Sequence, residues 1–271
     1  MKEEDQRQLM NKNRDLWDEL VPIHRRSEFY AADDFIAGGN RLNQLELSEV
    51  GSVDGKNLLH LQCHFGLDTL SWARLGAHVT GVDYSEKAVE TAADLAARCN
   101  LDARFICSNI YDLPQNRMGQ FDVVYTSYGV LTWLPDIPRW AAVAASYVKP
   151  GGFFYIAEFH PFVMALDDEA DSLRFRYPYF EEDALRFDVN GSYADESANL
   201  KTKDEYGWNH PLGEIVSSLI DNGLRIEFLH EHAYTVFKQF PFLEPFDNGL
   251  WRFPNGEKLL PLMFSLKAIK D

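Results

Sequence analysis

The feature that most constrains this chain is Leu58-Leu59-His60-Leu61-Gln62-Cys63-His64-Phe65-Gly66 followed by Gly81-Val82-Asp83-Tyr84-Ser85, which spells strand, tight loop, helix, strand, acid. A parallel strand that enters a tight loop ahead of a helix brings backbone amides to the helix N-terminus, where a ligand can be received. An acid closing the second strand stands where open α/β sheets grip ribose hydroxyls. Asp83 lies 17 positions after Gly66, a spacing that suits a nucleoside-bearing cofactor without choosing among them.

From Lys56 onward strands alternate with helices, which predicts a parallel sheet covered on both faces. Strands are expected at 57–61, 78–82, 103–107, 121–125 and 153–158. Helices are expected from about Asp68 to Leu75, after the capping residue Ser85, and from Asp136-Ile137-Pro138. The alternation stops after His160. Residues 161–207 mix acids with aromatics, and Val189-Asn190-Gly191-Ser192 is a type I′ hairpin signal. A helix follows from Pro211, with Leu212, Ile215, Val216, Leu219 and Ile220 on one face, ended by Asn222-Gly223. Strands at 224–230 and 262–269 close the chain around an aromatic excursion. Residues 1–20 read as a helix with Leu9, Leu16, Trp17 and Leu20 as a partial stripe. The aromatic leader that follows, with Tyr30, fits either a lid over the cofactor site or packing on the sheet. The expected division is a helical lid at 1–50, a cofactor-binding core at 51–160, an inserted substrate cap at 161–207, and a helix and strands at 208–271 completing the core.

The net charge of −16 disfavours partners bound through phosphate neutralisation, so no nucleic acid is expected and a small-molecule substrate is favoured. No apolar run reaches the ~18 residues of a membrane span, and the first residues have no signal-peptide core. The expectation is a cytoplasmic protein with no membrane partner and no assigned oligomeric state. Cys63, Cys99 and Cys107 are odd in number and lack CxxC spacing, which argues against disulfides and a cysteine zinc site. His60 and His64 fall on a strand and its loop, not on one helix face, and His230-Glu231-His232 lacks further ligands. No metal is expected.

Over roughly Lys56 to His160, with the closing helix and two strands also fitting, these residues resemble the class I S-adenosylmethionine-dependent methyltransferases. The resemblance implies a Rossmann-like, seven-stranded, mostly parallel sheet with helices on both faces and an antiparallel last strand. It makes Lys149-Pro150-Gly151-Gly152 the turn before strand five. The whole chain, including Trp208-Asn209-His210-Pro211-Leu212, is similar to a poorly characterised bacterial branch of that family. The implied cofactor is S-adenosylmethionine, and the implied reaction is methyl transfer to an oxygen or nitrogen of an unidentified small molecule. Where the family favours an acid followed by three alternating glycines, this chain has His60, Gln62, His64 and only the final Gly66. The side chains of Gln62 and His64 either reach the amino acid end of the cofactor or point away, leaving the amides of Cys63 to Gly66 to serve. Asp83 matches the ribose acid, Tyr84 the adenine-packing position, Asn109 and Ile110 the adenine edge, and Ser127 the floor beneath the methionine; Tyr30 is assigned to the cofactor as a lid residue.

Transfer from a sulfonium is an in-line displacement, so alignment and exclusion of water dominate, and a base is needed only if the nucleophile holds a proton. Tyr128, Glu158, His160 and His210 lie where a base could act; Tyr128, His160 and His210 are the catalytic candidates. Trp133, Tyr177, Tyr179, Phe180 and Trp208 fit either a stacking wall for substrate or simple packing. Rival readings are a noncatalytic S-adenosylmethionine-binding protein and a nicotinamide-dependent oxidoreductase, although the loop lacks G-x-G-x-x-G.

Overall fold

The computed structural model describes residues 2–180, 183–247 and 249–271. Three helices precede the sheet: α1 (Glu3–His24), α2 (Ala32–Ile36) and α3 (Gln44–Val50). The core then runs β1 (Asn57–Leu61), α4 (Leu67–Arg74), β2 (His78–Asp83), α5 (Glu86–Arg98), β3 (Ala103–Cys107), β4 (Phe121–Ser127), α6 (Ile137–Tyr147) and β5 (Val148–Phe159). After the inserted segment, which holds β6 (Leu185–Asp188) and β7 (Asp204–Gly207), come α7 (Leu212–Asp221), β8 (Leu224–His232), the short strands β9 (Tyr234–Thr235), β10 (Glu244–Phe246) and β11 (Leu250–Arg252), and β12 (Met263–Lys270). No described helix is long and apolar enough to cross a membrane.

The seven-stranded sheet has the order β3-β2-β1-β4-β5-β12-β8. Strands β1 to β5 pair in parallel, and β12 lies antiparallel between β5 and β8. The switch in strand order beside β1 opens the crevice where ligands of such sheets bind, at the carboxyl ends of the strands. Alternation along β1 sets the layers. Leu59 and Leu61 pack with Trp140 of α6 and Leu219 of α7, whereas Leu58 packs with Trp72 of α4 and Val50 of α3. Helix starts follow local chemistry: Ser85 Oγ accepts from Ala88 N at 3.0 Å, and Asp136 Oδ1 accepts from Arg139 N at 2.9 Å, each satisfying an otherwise orphaned amide.

Several boundaries differ from the sequence reading. Strand β4 continues through Thr126 and Ser127, so these residues sit in the sheet rather than after it. Strand β5 takes in Lys149-Pro150-Gly151-Gly152, with the register against β4 shifting between Phe121 and Val123. A side chain at Gly152 would press to 2.8 Å from the Asp122 carbonyl, so the backbones meet closely there and the irregularity is absorbed within the strand. Asn190-Gly191 does not turn a two-residue hairpin: β6 and β7 do pair antiparallel, but residues 189–203 connect them. Ile220 is 51% exposed, off the buried face of α7. The aromatic excursion contains a three-stranded sheet, β10-β11-β9.

Helix α1 and the inserted segment hold each other. Asn13 completes the edge of β7 as a strand would, its Nδ2 donating to Tyr206 O (2.7 Å) and its Oδ1 accepting from Tyr206 N (2.9 Å). Glu19 accepts from Lys201 N, Thr202 N and Thr202 Oγ1. The two ends of the insertion are also joined, because Asn209 Nδ2 donates to Pro178 O at 2.9 Å and Met164 O at 3.4 Å.

Candidate functional site

The first loop keeps the backbone geometry that glycines would provide although two of them are missing. Gln62 (φ 56°), His64 (φ 49°) and Gly66 (φ 80°) all lie in the left-handed region, where a non-glycine residue costs about 1–2 kcal/mol. Side-chain bonds hold the two exceptions in place. Gln62 Oε1 accepts from Trp140 Nε1 (3.2 Å) and its Nε2 donates to Val130 O (3.1 Å). His64 shares a hydrogen bond with His24 through Nε2 at 3.0 Å and meets the Trp17 ring edge-on. Both side chains are therefore committed to the protein. At Gly66 an added Cβ would come within 2.9 Å of Ala92 and the Phe105 ring, so glycine is required there by packing as well as by φ.

Asp83 stands at the end of β2 beside this loop. Its Oδ2 accepts from His64 N (2.8 Å) and its Oδ1 from Ser85 N (2.9 Å), which leaves lone pairs on both oxygens. Burial pushes its carboxyl up to about 6, against the pull of those amides. Tyr84 donates its hydroxyl to Asn11 of α1. Asn109 caps the turn after β3, its Oδ1 accepting from Tyr111 N at 3.0 Å, and its amide lies against Met10 Sδ at 3.8 Å. Ile110 is buried beside it. A cavity of about 20 Å³ between Met10, Arg7, Asn109 and Arg139 has room for one water, so α1 closely covers Asn109.

A cluster that the sequence reading missed sits at the other end of the crevice. Glu46, fully buried on α3, accepts from Tyr125 Oη (2.8 Å), Tyr128 Oη (2.7 Å) and Asn43 N (2.9 Å). Asp68, in the first turn of α4, accepts from Ser127 Oγ at 3.2 Å. Burial, and for Glu46 the neighbouring Asp68, raise these carboxyls to about 7 and about 6. The only advance signal was a pair of acids at apolar-periodic positions of short helices, which usually face solvent.

The leader and the insertion meet above the loop. His24 Nε2 bonds Ser192 Oγ at 2.8 Å, the hydroxyls of Tyr30 and Tyr193 bond each other, and Tyr30 stacks on His24. Burial lowers His24 to about 4 and His64 well below its ordinary value, so the linked imidazoles are neutral at pH 7.

The three catalytic candidates are not gathered together. His160 has Nδ1 engaged, accepting from Phe162 N at 3.1 Å, while Nε2 lies 3.0 Å from Glu231 Oε1 without an aligned hydrogen bond. His210 donates through Nε2 to Leu134 O (2.6 Å) and sets Nδ1 toward Glu214 (3.3 Å). It lines a cavity of about 30 Å³ with Glu158, Phe159, Trp208 and Thr132. Glu158 is saturated by the amides of Gly129, Val130, Leu131 and Phe159. Of the aromatic wall, Trp208 is buried, Phe180 is 79% exposed and Tyr179 accepts from Leu212 N. Among the described residues no group of three His, Cys, Asp or Glu gathers as a metal site would require.

A family model described as a methyltransferase domain matches residues 58–152, the span from β1 to the start of β5. Over this segment the chain is similar to methyltransferase domains. Relatives over the same part include ubiquinone biosynthesis O-methyltransferases. That of Caulobacter vibrioides is 35% identical over 113 residues, 42% of this chain and 44% of the relative. That of Shewanella pealeana is 30% identical over 122 residues, 44% and 51%. The chain thus matches about half the length of these relatives. The likeness in fold extends beyond that segment: an S-adenosylmethionine-dependent methyltransferase structure from Clostridium acetobutylicum aligns over 96% of this chain and 98% of its own, with a TM-score of 0.57 and 16% identity.

Proposed function

We propose that this chain transfers the methyl group of S-adenosylmethionine to an oxygen or nitrogen of a small molecule. The observation that carries this reading is the crevice at the carboxyl ends of β1 and β2, where three left-handed residues shape the first loop and Asp83 turns free lone pairs outward. The site's chemistry suits an adenosyl cofactor. Asp83 can accept from both ribose hydroxyls, and the first turn of α4 turns its own amides toward an anion, since the loop amides of Cys63, His64 and Gly66 are already donated to Val82 O, Asp83 Oδ2 and Cys63 O. Tyr84 and Ile110 flank the adenine, and Met10 and Tyr30 close over it from the leader.

When bound, the cofactor supplies an electrophilic methyl on sulfur; the protein supplies alignment and exclusion of water. Residues 1–50 act as the lid and 161–207 as the substrate cap, joined through Asn13 and Glu19. Of the catalytic candidates, Tyr128 is the best placed. It follows Ser127 at the end of β4, and its hydroxyl donates to the Glu46 carboxylate, so a proton leaving an acceptor hydroxyl can pass to the Tyr128 oxygen while Tyr128's own proton passes to Glu46. His210 forms part of the acceptor wall, and His160 positions the base of the cap.

The test is calorimetric titration with S-adenosylmethionine, S-adenosylhomocysteine and reduced nicotinamide cofactors, on the native protein and on Asp83→Ala. Binding of the adenosyl pair, weakened at least about 100-fold by the loss of two charge-assisted bonds, is expected. Binding of the nicotinamide alone would overturn the reading. Where the adenosyl pair binds, a screen with radiolabelled methyl donor separates an enzyme from a binding protein.

A further inference from the structure

We propose that Asp68 is the residue that receives the α-ammonium group at the amino acid end of the cofactor. The inference rests on the adenosyl-cofactor reading above and assigns to α4 a role that the sequence pattern would give to another position. The family resemblance puts an acid at position 60, but His60 is buried, bonds Thr69 Oγ1 at 2.8 Å through Nδ1, and meets the Tyr125 ring edge-on. It is held neutral by burial. Strand β1 therefore brings no negative charge to the first loop, and α4 brings one at Asp68, on the side of the loop away from Asp83 and beside Ser127.

Asp68 lies two residues after Gly66, and its carboxylate reaches Ser127 at the end of β4. It thus bridges the first loop and the strand end that together form the floor of the crevice. Among the described residues, Ser127 Oγ is its one hydrogen-bond donor, and Arg41 acts on it only from beyond ion-pair distance. An ionised carboxylate offers about four acceptor sites, so half-buried Asp68 has sites left for a ligand. Glu46, next to it, adds a second negative charge but is saturated by its two tyrosines and the Asn43 amide. The crevice floor therefore has one carboxylate with unused acceptor sites and, among the described residues, no cation in direct contact with it. Arg41, whose guanidinium donates to Phe29 O at 3.0 Å, is the cation that the leader brings toward this end.

An α-amino acid group meets both needs. Its carboxylate suits the amides that open α4, and its ammonium brings three donors and a positive charge to Asp68. A group without an ammonium leaves Asp68 as it stands.

The experiment compares S-adenosylhomocysteine with 5′-methylthioadenosine, which keeps the adenosine and the thioether but has no amino acid end. Both are titrated into native protein and into Asp68→Asn, which keeps the shape and the bond from Ser127 and removes the charge. The expected result is a loss of at least about 10-fold for S-adenosylhomocysteine with less than about 2-fold change for 5′-methylthioadenosine. The retained binding of the truncated ligand shows that the variant is folded. Unchanged affinity for S-adenosylhomocysteine, or an equal loss for both ligands, would overturn the assignment while leaving the cofactor reading intact. Failure of the native protein to bind either ligand would overturn both.

Discussion

Gln62 carries a backbone strain that glycine would not, and two hydrogen bonds that glycine could not make. Gln62→Gly removes about 1 kcal/mol of left-handed strain but orphans the buried Trp140 Nε1 and the Val130 carbonyl, at about 1–3 kcal/mol for a buried group left unpaired. The variant should therefore be less stable by about 1–2 kcal/mol in chemical denaturation, even though it moves the loop toward the family pattern. A gain in stability would show that the bonds are not made. Asp83 gives a pH dependence of definite sign. Its folded carboxyl, raised from 3.8 to about 6 by burial, must ionise to accept from two hydroxyls, so cofactor affinity should fall as pH falls through about 6, by roughly tenfold from pH 7 to pH 5. The same shift acts oppositely on the free protein. Between about 4 and 6 the folded form holds a proton that the unfolded form has lost, so this residue's contribution to stability declines as pH rises through that window. Measuring both in native protein and in Asp83→Asn isolates the group as the difference between the two profiles, because Glu46 and Asp68, raised to about 7 and about 6, keep their own share of each trend in both proteins.

At the scale of elements, what the sequence revealed and what it hid separate along physical lines. The strands and helices of the core were legible because each is set by near neighbours. Short, continuously buried runs define β1 and β2, Ser85 and Asp136 cap their own helices, and Asp83 announces itself by its distance from a glycine. The left-handed angles at Gln62 and His64 were hidden, since their stabilising partners, Trp140 and His24, lie 78 and 40 residues away. Glu46 and Asp68 were hidden for the same reason: a carboxylate is expected to face solvent unless a distant tyrosine or serine comes to meet it. Asn190-Gly191 misled because local turn preference was overridden when α1 took the edge of β7 and drew the connecting segment over the first loop. His160 and His210 were found, but spacing could not show that His160 Nδ1 is taken by the Phe162 amide and His210 Nε2 by the Leu134 carbonyl.

Taken as a whole, the molecule has its roof made from two distant parts of the chain. Helix α1 covers Asn109, leaving about 20 Å³ beside it, and His24 connects His64 below to Ser192 above. A cofactor of several hundred Å³ enters such a site only if the leader moves, and the shared contacts require the segment at 189–203 to move with it. Hydrogen exchange with and without S-adenosylhomocysteine should therefore show protection rising together in α1 and in residues 189–203. In Asn13→Ala, which severs the pairing with β7, the two should respond separately. Protection confined to residues 62–66 and 83–85 would contradict a jointed roof.

The bonds from Asn209 to Pro178 and Met164 close the insertion at its base, so that it leaves and rejoins the sheet at a single knot. A segment tied in this way behaves as an exchangeable cartridge. Its interior can lengthen, shorten or be replaced between descendants while β4, β5 and the residues beneath them keep their places. Diversification of acceptor preference in such a lineage would then be written into the span from 161 to 207, on a donor-handling floor that stays the same.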